Sequence, residues 1–224
     1  RYRSRPAFDL IIQAMSGTMS ITGHPGGPPA ICGVAIADYG TAMFAAHGIL
    51  AALYAREKTG VGQRIEVSML ASQLALMVEP AADYVVGKVL DGPSGGGEAI
   101  PTIAPPYGTF RARDGYIAVA GYRGFEAFCQ AIGNPPWTKQ EKFATNFSRY
   151  QNQEELDGLI EQWTANYTPY EAMEILQKAG VAAAPSFTAE DIYTDPHLLE
   201  RGLFEVVDHP EAGASPVLLA PWRF

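Results

Sequence analysis

The sequence predicts a mixed α/β chain in two parts, a mainly helical first half and a compact α+β second half. Three observations carry this. Long apolar runs closed by glycine fill the first 86 residues, with one convincing strand among them. A glycine- and proline-rich stretch, "GKVLDGPSGGGEAIPTIAPP" at 87–106, interrupts the chain. Beyond it, two alternating runs flank Asp114-Gly115, a hairpin signal, and helical and strand-like stretches then follow one another.

The elements are expected in this order. "AFDLIIQAMSG" is a helical run that stops at Gly17, and "TGHPGGPPAICG" is a loop, because its glycines and prolines exclude regular structure. A long helix from about Asp38 to Lys58 follows, with Arg56 and Lys58 placed for the dipole and Gly60 as its stop. In "QRIEVSML", Ile65, Val67 and Met69 alternate with polar neighbours, which predicts a short strand. A helix over about 71–86 has a kink expected at Pro80. After the hairpin come helices near 123–132, 152–166 and 168–179, the last closed by Gly180. "VAAAPSF" reads as a strand, 188–194 as a short helix, and "LFEVVDHP" and "SPVLLAPWRF" as closing strands.

Of the 224 residues, 47% are apolar and 18% charged, enough to bury a real core. A net charge of −8 argues against nucleic acid, whose phosphates call for a basic surface. Two cysteines, Cys32 and Cys129, are too few for a disulfide framework. No signal peptide is recognised, and the longest apolar stretch, about Phe44 to Tyr54, reads as too short for a bilayer. The expectation is a soluble, cytoplasmic protein. The first-half helices nevertheless lack a covering sheet, so another chain or a longer polypeptide is expected to supply one.

The motifs resemble those of the class III CoA-transferases, the CaiB–BaiF family. In family order they are "RPAFDLIIQAMSG", "TG…GGPP", the Gly33-to-Asp38 pattern G-x-x-x-x-D and "GILAALYAREKTGVGQRIEVSML", then "PYGTFRARDG" and "GVAAAPSFTAEDIYTDPHLLERGLF". The resemblance implies a large domain with a parallel sheet and covering helices, a smaller α+β domain, and linkers that make each subunit a ring interlocked with its partner in a homodimer. Family members are longer, so the chain looks like a middle and small-domain portion. Residues 1–86 would be the helical part of the large domain and 87–106 a linker and active-site loop. Residues 107–205 would be the small domain, and 206–224 the return towards the large one.

Asp38 is the central candidate. On the residues alone it is either a helix N-cap or a reacting carboxylate held ionised by the helix dipole. The resemblance implies the second: Asp38 would attack an acyl-CoA thioester and pass through aspartyl anhydride and aspartyl-CoA intermediates to a carboxylic acid acceptor. The CoA thioester is a substrate, and no tightly bound cofactor or metal is implied. His47, nine residues on, falls on the opposite helix face from Asp38. The other histidines lack metal-ligand spacing.

Phe8 stands where the racemase branch has an acid/base histidine, which argues against the rival reading of an acyl-CoA racemase or isomerase and leaves Phe8 as a pocket wall. Gln13 and Asp9 match family positions, and Asp9 is also placed to cap the first helix. Gly95, Gly96 and Gly97 read as a linker by composition, and by resemblance as a loop over the site, with Tyr107 packed near it. Arg5, with Arg1 and Arg3, is either a solvated end or a contact for CoA phosphates. A third reading is a non-catalytic fragment or assembly module of the same fold.

Overall fold

The structure, a computed structural model, describes residues 5–24, 26–85, 104–133 and 136–222. In the first part, α1 (Asp9–Ser16) ends at Gly17, whose φ of 88° is a left-handed turn that glycine adopts without a Cβ penalty. After the loop, α2 (Ile36–Thr59) runs for 24 residues and stops where Gly60 donates its N–H to the Arg56 carbonyl. Arg56 and Lys58 sit in its last turn, where positive charge suits the dipole. It begins two residues ahead of the expected start.

Two expectations fail between residues 63 and 86. "QRIEVSML" forms no strand, because alternation alone does not make a ladder without a neighbour, and none pairs with it among the described residues. Instead Ser68 Oγ accepts from Ala71 N at 3.1 Å and starts α3 (Met69–Leu76). The expected single helix is also two, α3 and α4 (Val78–Val85), separated at Met77. Pro80 explains the position of the break. It has no N–H for the Leu76 carbonyl and its ring would clash there, but it fits the first turn of a new helix.

Helix α3 packs on both α1 and α2. Gly40 leaves room for this packing: a Cβ there would lie 3.0 Å from Leu76 Cδ1. Yet only Ala37 and Gly40 of α2 are buried, and Leu50 is 65% exposed. The helix is longer than the Phe44–Tyr54 stretch suggested. With a best-window mean hydropathy of 1.3, it is long and apolar enough, by length and composition alone, to cross a membrane. So much bare apolar surface on one helix is what the sequence expectation of a missing cover describes.

The second part has its own core. β1 (Tyr107–Arg111) and β2 (Tyr116–Ala120) form the expected antiparallel hairpin, with Tyr107 opposite Ala120 and Arg111 opposite Tyr116. β3 (Ala182–Pro185) pairs with β2, giving the order β1-β2-β3. One sheet face contributes Phe110, Ile117 and Val119 to a cluster with Phe128, Leu156, Ile160 and Leu176. Those partners come from α5 (Phe125–Ala131), α7 (Gln153–Thr164) and α8 (Pro169–Lys178).

Helix α8 starts in a capping box. Thr168 Oγ1 accepts from Glu171 N, and Glu171 Oε2 accepts from Thr168 N. Helix α7 also finishes β1: Arg111 N donates to Glu161 Oε1 at 3.2 Å, and Thr164 Oγ1 donates to the Arg111 carbonyl at 2.6 Å.

Short α6 (Asn146–Gln151) places Arg149, only 4% exposed, between neutral acceptors. Its Nε donates to the Pro105 carbonyl at 2.8 Å, Nη1 to the Phe143 carbonyl at 3.0 Å, and Nη2 to Asn146 Oδ1. The guanidinium lies 4.3 Å from the Phe125 ring centroid. Burial lowers its pKa from the ordinary arginine value, which the neighbouring Cys129 partly offsets. Burial also pushes the Cys129 thiol up to about 11, against the pull of Arg149.

Helices α9 (Ala189–Thr194) and α10 (Pro196–Glu200) lead to the hairpin of β4 (Phe204–His209) and β5 (Gly213–Leu218), the two expected closing strands. Every strand pair among the described residues is antiparallel.

Candidate active site

The chain reaches Asp38 through a loop that two side chains of α1 hold at both ends. Asp9 and Gln13 are four residues apart, hence on one helix face, and Gln13 Nε2 donates to Asp9 Oδ2 at 2.6 Å. Asp9 Oδ1 accepts from Ala37 N at 2.8 Å, and Gln13 Oε1 accepts from Cys32 N at 2.9 Å. The amides at 32 and 37 bracket the Gly33–Ile36 segment, so the whole G-x-x-x-x-D motif is tied back to α1.

This arrangement sets aside the capping alternative for both aspartates. Asp38 is not the N-cap of α2: Ala35 is, with no side-chain bond of its own, and Asp38 is the third helical residue. Nor does Asp9 cap α1, whose N-cap is Phe8. Asp9 instead supplies α2 with the acceptor that Ala35 cannot provide, at the second amide of that helix. The Asp38 carboxylate is therefore not consumed by capping. It is exposed, and among the described residues it takes part in no hydrogen bond or ion pair.

The remaining candidates divide by position. Phe8 is 76% exposed at the mouth of α1. Gln13 is fully buried with both ends of its amide engaged, so in this structure it braces the loop and has no free polar atom to offer a ligand. Tyr107 opens β1, stands edge-on to Tyr122 at 5.7 Å, and lines a hollow of about 470 Å³ over Gly108, Ala118, Ala120 and Ala182–Ala184. Arg5 is exposed. Gly95, Gly96 and Gly97 lie outside the described residues, as do Arg1 and Arg3. His47 Nδ1 is bonded within its own helix, 2.7 Å from the Met43 carbonyl, and no cluster of potential metal ligands occurs among the described residues.

A carboxylate presented at the first turn of a helix, free of partners, is suited to nucleophilic attack, and the surrounding helix N–H groups favour negative charge there. The pattern described as CoA-transferase family III matches residues 1–224.

The chain belongs to CoA-transferase family III.

It is 35% identical to the succinyl-CoA:mesaconate CoA-transferase of Haloarcula marismortui, over 94% of this chain and 52% of that one. It is 32% identical to the formyl-CoA:oxalate CoA-transferase of Streptomyces avermitilis, over 99% of this chain and 58% of that one. The crystal structure of a CAIB/BAIF family protein from Brucella suis superposes with a TM-score of 0.82 at 31% identity, covering 100% of this chain and 58% of the other. This member of CoA-transferase family III thus spans about half the length of the curated relatives it matches.

The residue that sequence reasoning undervalued is Asp9. Its signal was present in the D-x-x-x-Q spacing, which places two complementary polar groups on one face of an otherwise apolar helix.

Proposed function

We propose that this chain is part of a CoA-transferase that moves CoA from an acyl-CoA thioester to a carboxylic acid, with Asp38 as nucleophile. The observation that carries the reading is the free, exposed carboxylate of Asp38 in the first turn of α2, spared from capping by Asp9.

Asp38 attacks the donor carbonyl and displaces CoA thiolate, forming an aspartyl–acyl anhydride. The thiolate attacks the aspartyl carbon of that anhydride, releasing the donor acid and leaving an aspartyl-CoA thioester. The acceptor carboxylate attacks this thioester, giving a second anhydride and CoA thiolate again. The thiolate then takes the acceptor acyl group, and Asp38 returns as carboxylate. Each step trades one acyl bond for another, so no redox partner or metal enters the scheme. Exposed helix-terminal and loop N–H groups stabilise the oxyanions that form along the way.

The acceptor class is a short dicarboxylate, which is what the names of the mesaconate, glutarate and oxalate relatives have in common. Phe8 supports transfer over racemisation, because it carries no proton to exchange. The division into 1–86, 87–106, 107–205 and 206–224 follows the family arrangement, in which the rest of the fold supplies a parallel sheet, covers the bare face of α2 and closes an intertwined cytoplasmic homodimer. That cover, rather than a membrane, accounts for the apolar length of α2.

In the intact protein, incubation with succinyl-CoA leaves a hydroxylamine-sensitive CoA adduct on the peptide containing Asp38, and Asp38→Ala abolishes both adduct and transfer. Turnover at the wild-type rate in Asp38→Ala overturns the mechanism. Uptake of α-deuterium from heavy water by a 2-methylacyl-CoA would return the racemase reading.

A further inference from the structure

We propose that Asp9 and Gln13 are positioning residues for the transfer reaction, acting as a two-residue brace that sets where α2 begins and so where Asp38 points. The inference rests on the reading of Asp38 as nucleophile. Neither side chain touches the reacting atoms in this account. Both act through the backbone at 32 and 37.

The polarity of the brace is fixed by its ends. The amides of Cys32 and Ala37 can only donate, so each requires an acceptor. Asp9, with two accepting oxygens, receives Ala37 N on one and Gln13 Nε2 on the other. Gln13 is therefore oriented with its oxygen towards Cys32, and its amide has no second arrangement that satisfies all three bonds. Burial makes the arrangement strict at Gln13, whose fully enclosed amide is costly to leave without its partners, while Asp9 and Cys32 are half-buried.

The four residues between the two tied amides include Gly33 and Ala35, small side chains with little packing of their own to hold the loop. A helix whose N-cap is Ala35 also has no local acceptor to stop its first turn from fraying. With the brace removed, α2 unwinds from its first residues, and Asp38 is the third of these. An acyl-CoA still binds, but the carboxylate is misplaced for attack. The loss accordingly falls on kcat.

The chemistry allows a test by exchange. In Asp9→Asn, the amide oxygen still serves Ala37, but its NH2 then faces the NH2 of Gln13. If Gln13 turns over to relieve that contact, it presents a donor to Cys32 N. In Gln13→Glu, two carboxylates face each other across the 2.6 Å contact. In the double variant Asp9→Asn/Gln13→Glu, the introduced asparagine accepts from Ala37 N and donates to the introduced carboxylate. That carboxylate accepts from Cys32 N with its other oxygen. All three bonds return with the same net charge.

The experiment is steady-state transfer by the intact protein with succinyl-CoA as donor, together with urea unfolding and mass mapping of the CoA adduct. Each single variant is expected to lose about 10- to 100-fold in kcat, the scale of a small misplacement of a reacting group, with KM for succinyl-CoA changed less than about twofold. The double variant is expected to recover most of that kcat, and its residual adduct maps to Asp38. Single variants with wild-type kcat overturn the proposal. So does a double variant that regains wild-type stability in urea while its kcat stays at the level of the singles. If Asp38→Ala keeps its adduct and turnover, the nucleophile assignment fails on its own evidence. If Asp38→Ala is inactive while the brace variants are normal, only the positioning role is lost.

Discussion

Replacing Arg149 with methionine tests how a buried charge holds the second part together. Methionine keeps much of the aliphatic stem but removes the donors to the Pro105 and Phe143 carbonyls and to Asn146. Leaving two buried carbonyls without partners costs about 1–3 kcal/mol each. Loss of the guanidinium from the Phe125 ring costs roughly 0.5–2 kcal/mol more. Against this, the variant no longer has to desolvate a cation, an offset on the order of several kcal/mol. The balance is a destabilisation of about 3 kcal/mol, a large part of the ~5–15 kcal/mol typical of a domain. Urea unfolding followed by tryptophan fluorescence reads it directly, because Trp137 stands against Phe143 and Trp163 against Tyr167 in the same region. At an m-value of ~1–3 kcal/mol per molar, the midpoint falls by about 1–3 M. Arg149→Lys is expected to fall between the two, since one ammonium does not reach three acceptors arranged for a planar fork. A midpoint for the methionine variant within roughly 0.3 M of wild type would refute the argument, showing that the desolvation relief matches everything the three bonds contribute.

Other outcomes follow from the same physics. Gly121→Ala puts a Cβ 2.8 Å from Pro106 Cγ and 3.4 Å from Phe128 Cδ2, a rigid ring and a buried one, so overpacking costs about 1–3 kcal/mol by thermal or urea unfolding. Thr168→Ala removes the cap of α8 and is expected to cost about 1 kcal/mol; unchanged stability would mean the box is redundant. Hydrogen bonds from the Thr188 hydroxyl and amide hold the Asp191 carboxyl below its ordinary range, and the Thr168 amide does the same for Glu171 with help from Arg113. Depressed folded values contribute stability above the unfolded value of ~4 that is lost as pH falls below it. The unfolding midpoint should therefore drop on acidification from about pH 5 to about pH 2, less steeply in Thr188→Ala; an equal slope in that variant counts against the link. A thiol reagent at about pH 8 should modify half-buried Cys32 and spare Cys129, which is buried with its thiol raised to about 11, until denaturant is added. Equal labelling of the two would contradict this.

Much of the second part was legible because its signals are local. Asp114-Gly115 fixes the β1–β2 hairpin, Thr168-Pro169 with Glu171 announces α8, and Gly180 closes it with φ 78°. The misses also have physical causes. Helices α6 and α10, of six and five residues, are shorter than the window in which a 3.6-residue period can be recognised, although α9, also of six, was expected. The alternation in "QRIEVSML" was real, but a strand is a property of a pair. At the site, the helix and its carboxylate were visible in "AIADYG". The capping was not, because the acceptor arrives from Asp9, 28 residues earlier, and only the fold brings it to Ala37.

The way α7 finishes β1 has a consequence for the behaviour of many copies together. A three-stranded sheet has two open rims, and each is a template on which another molecule's strand can grow. Here one rim ends with the Arg111 amide and carbonyl already occupied by Glu161 and Thr164. The other, β3, is four residues long and closes on Pro185, which has no N–H to offer a newcomer. Neither rim leaves a long run of free amides for recruitment. Crowded during synthesis, this three-stranded sheet is shielded from strand-by-strand polymerisation by two side chains and one imino acid.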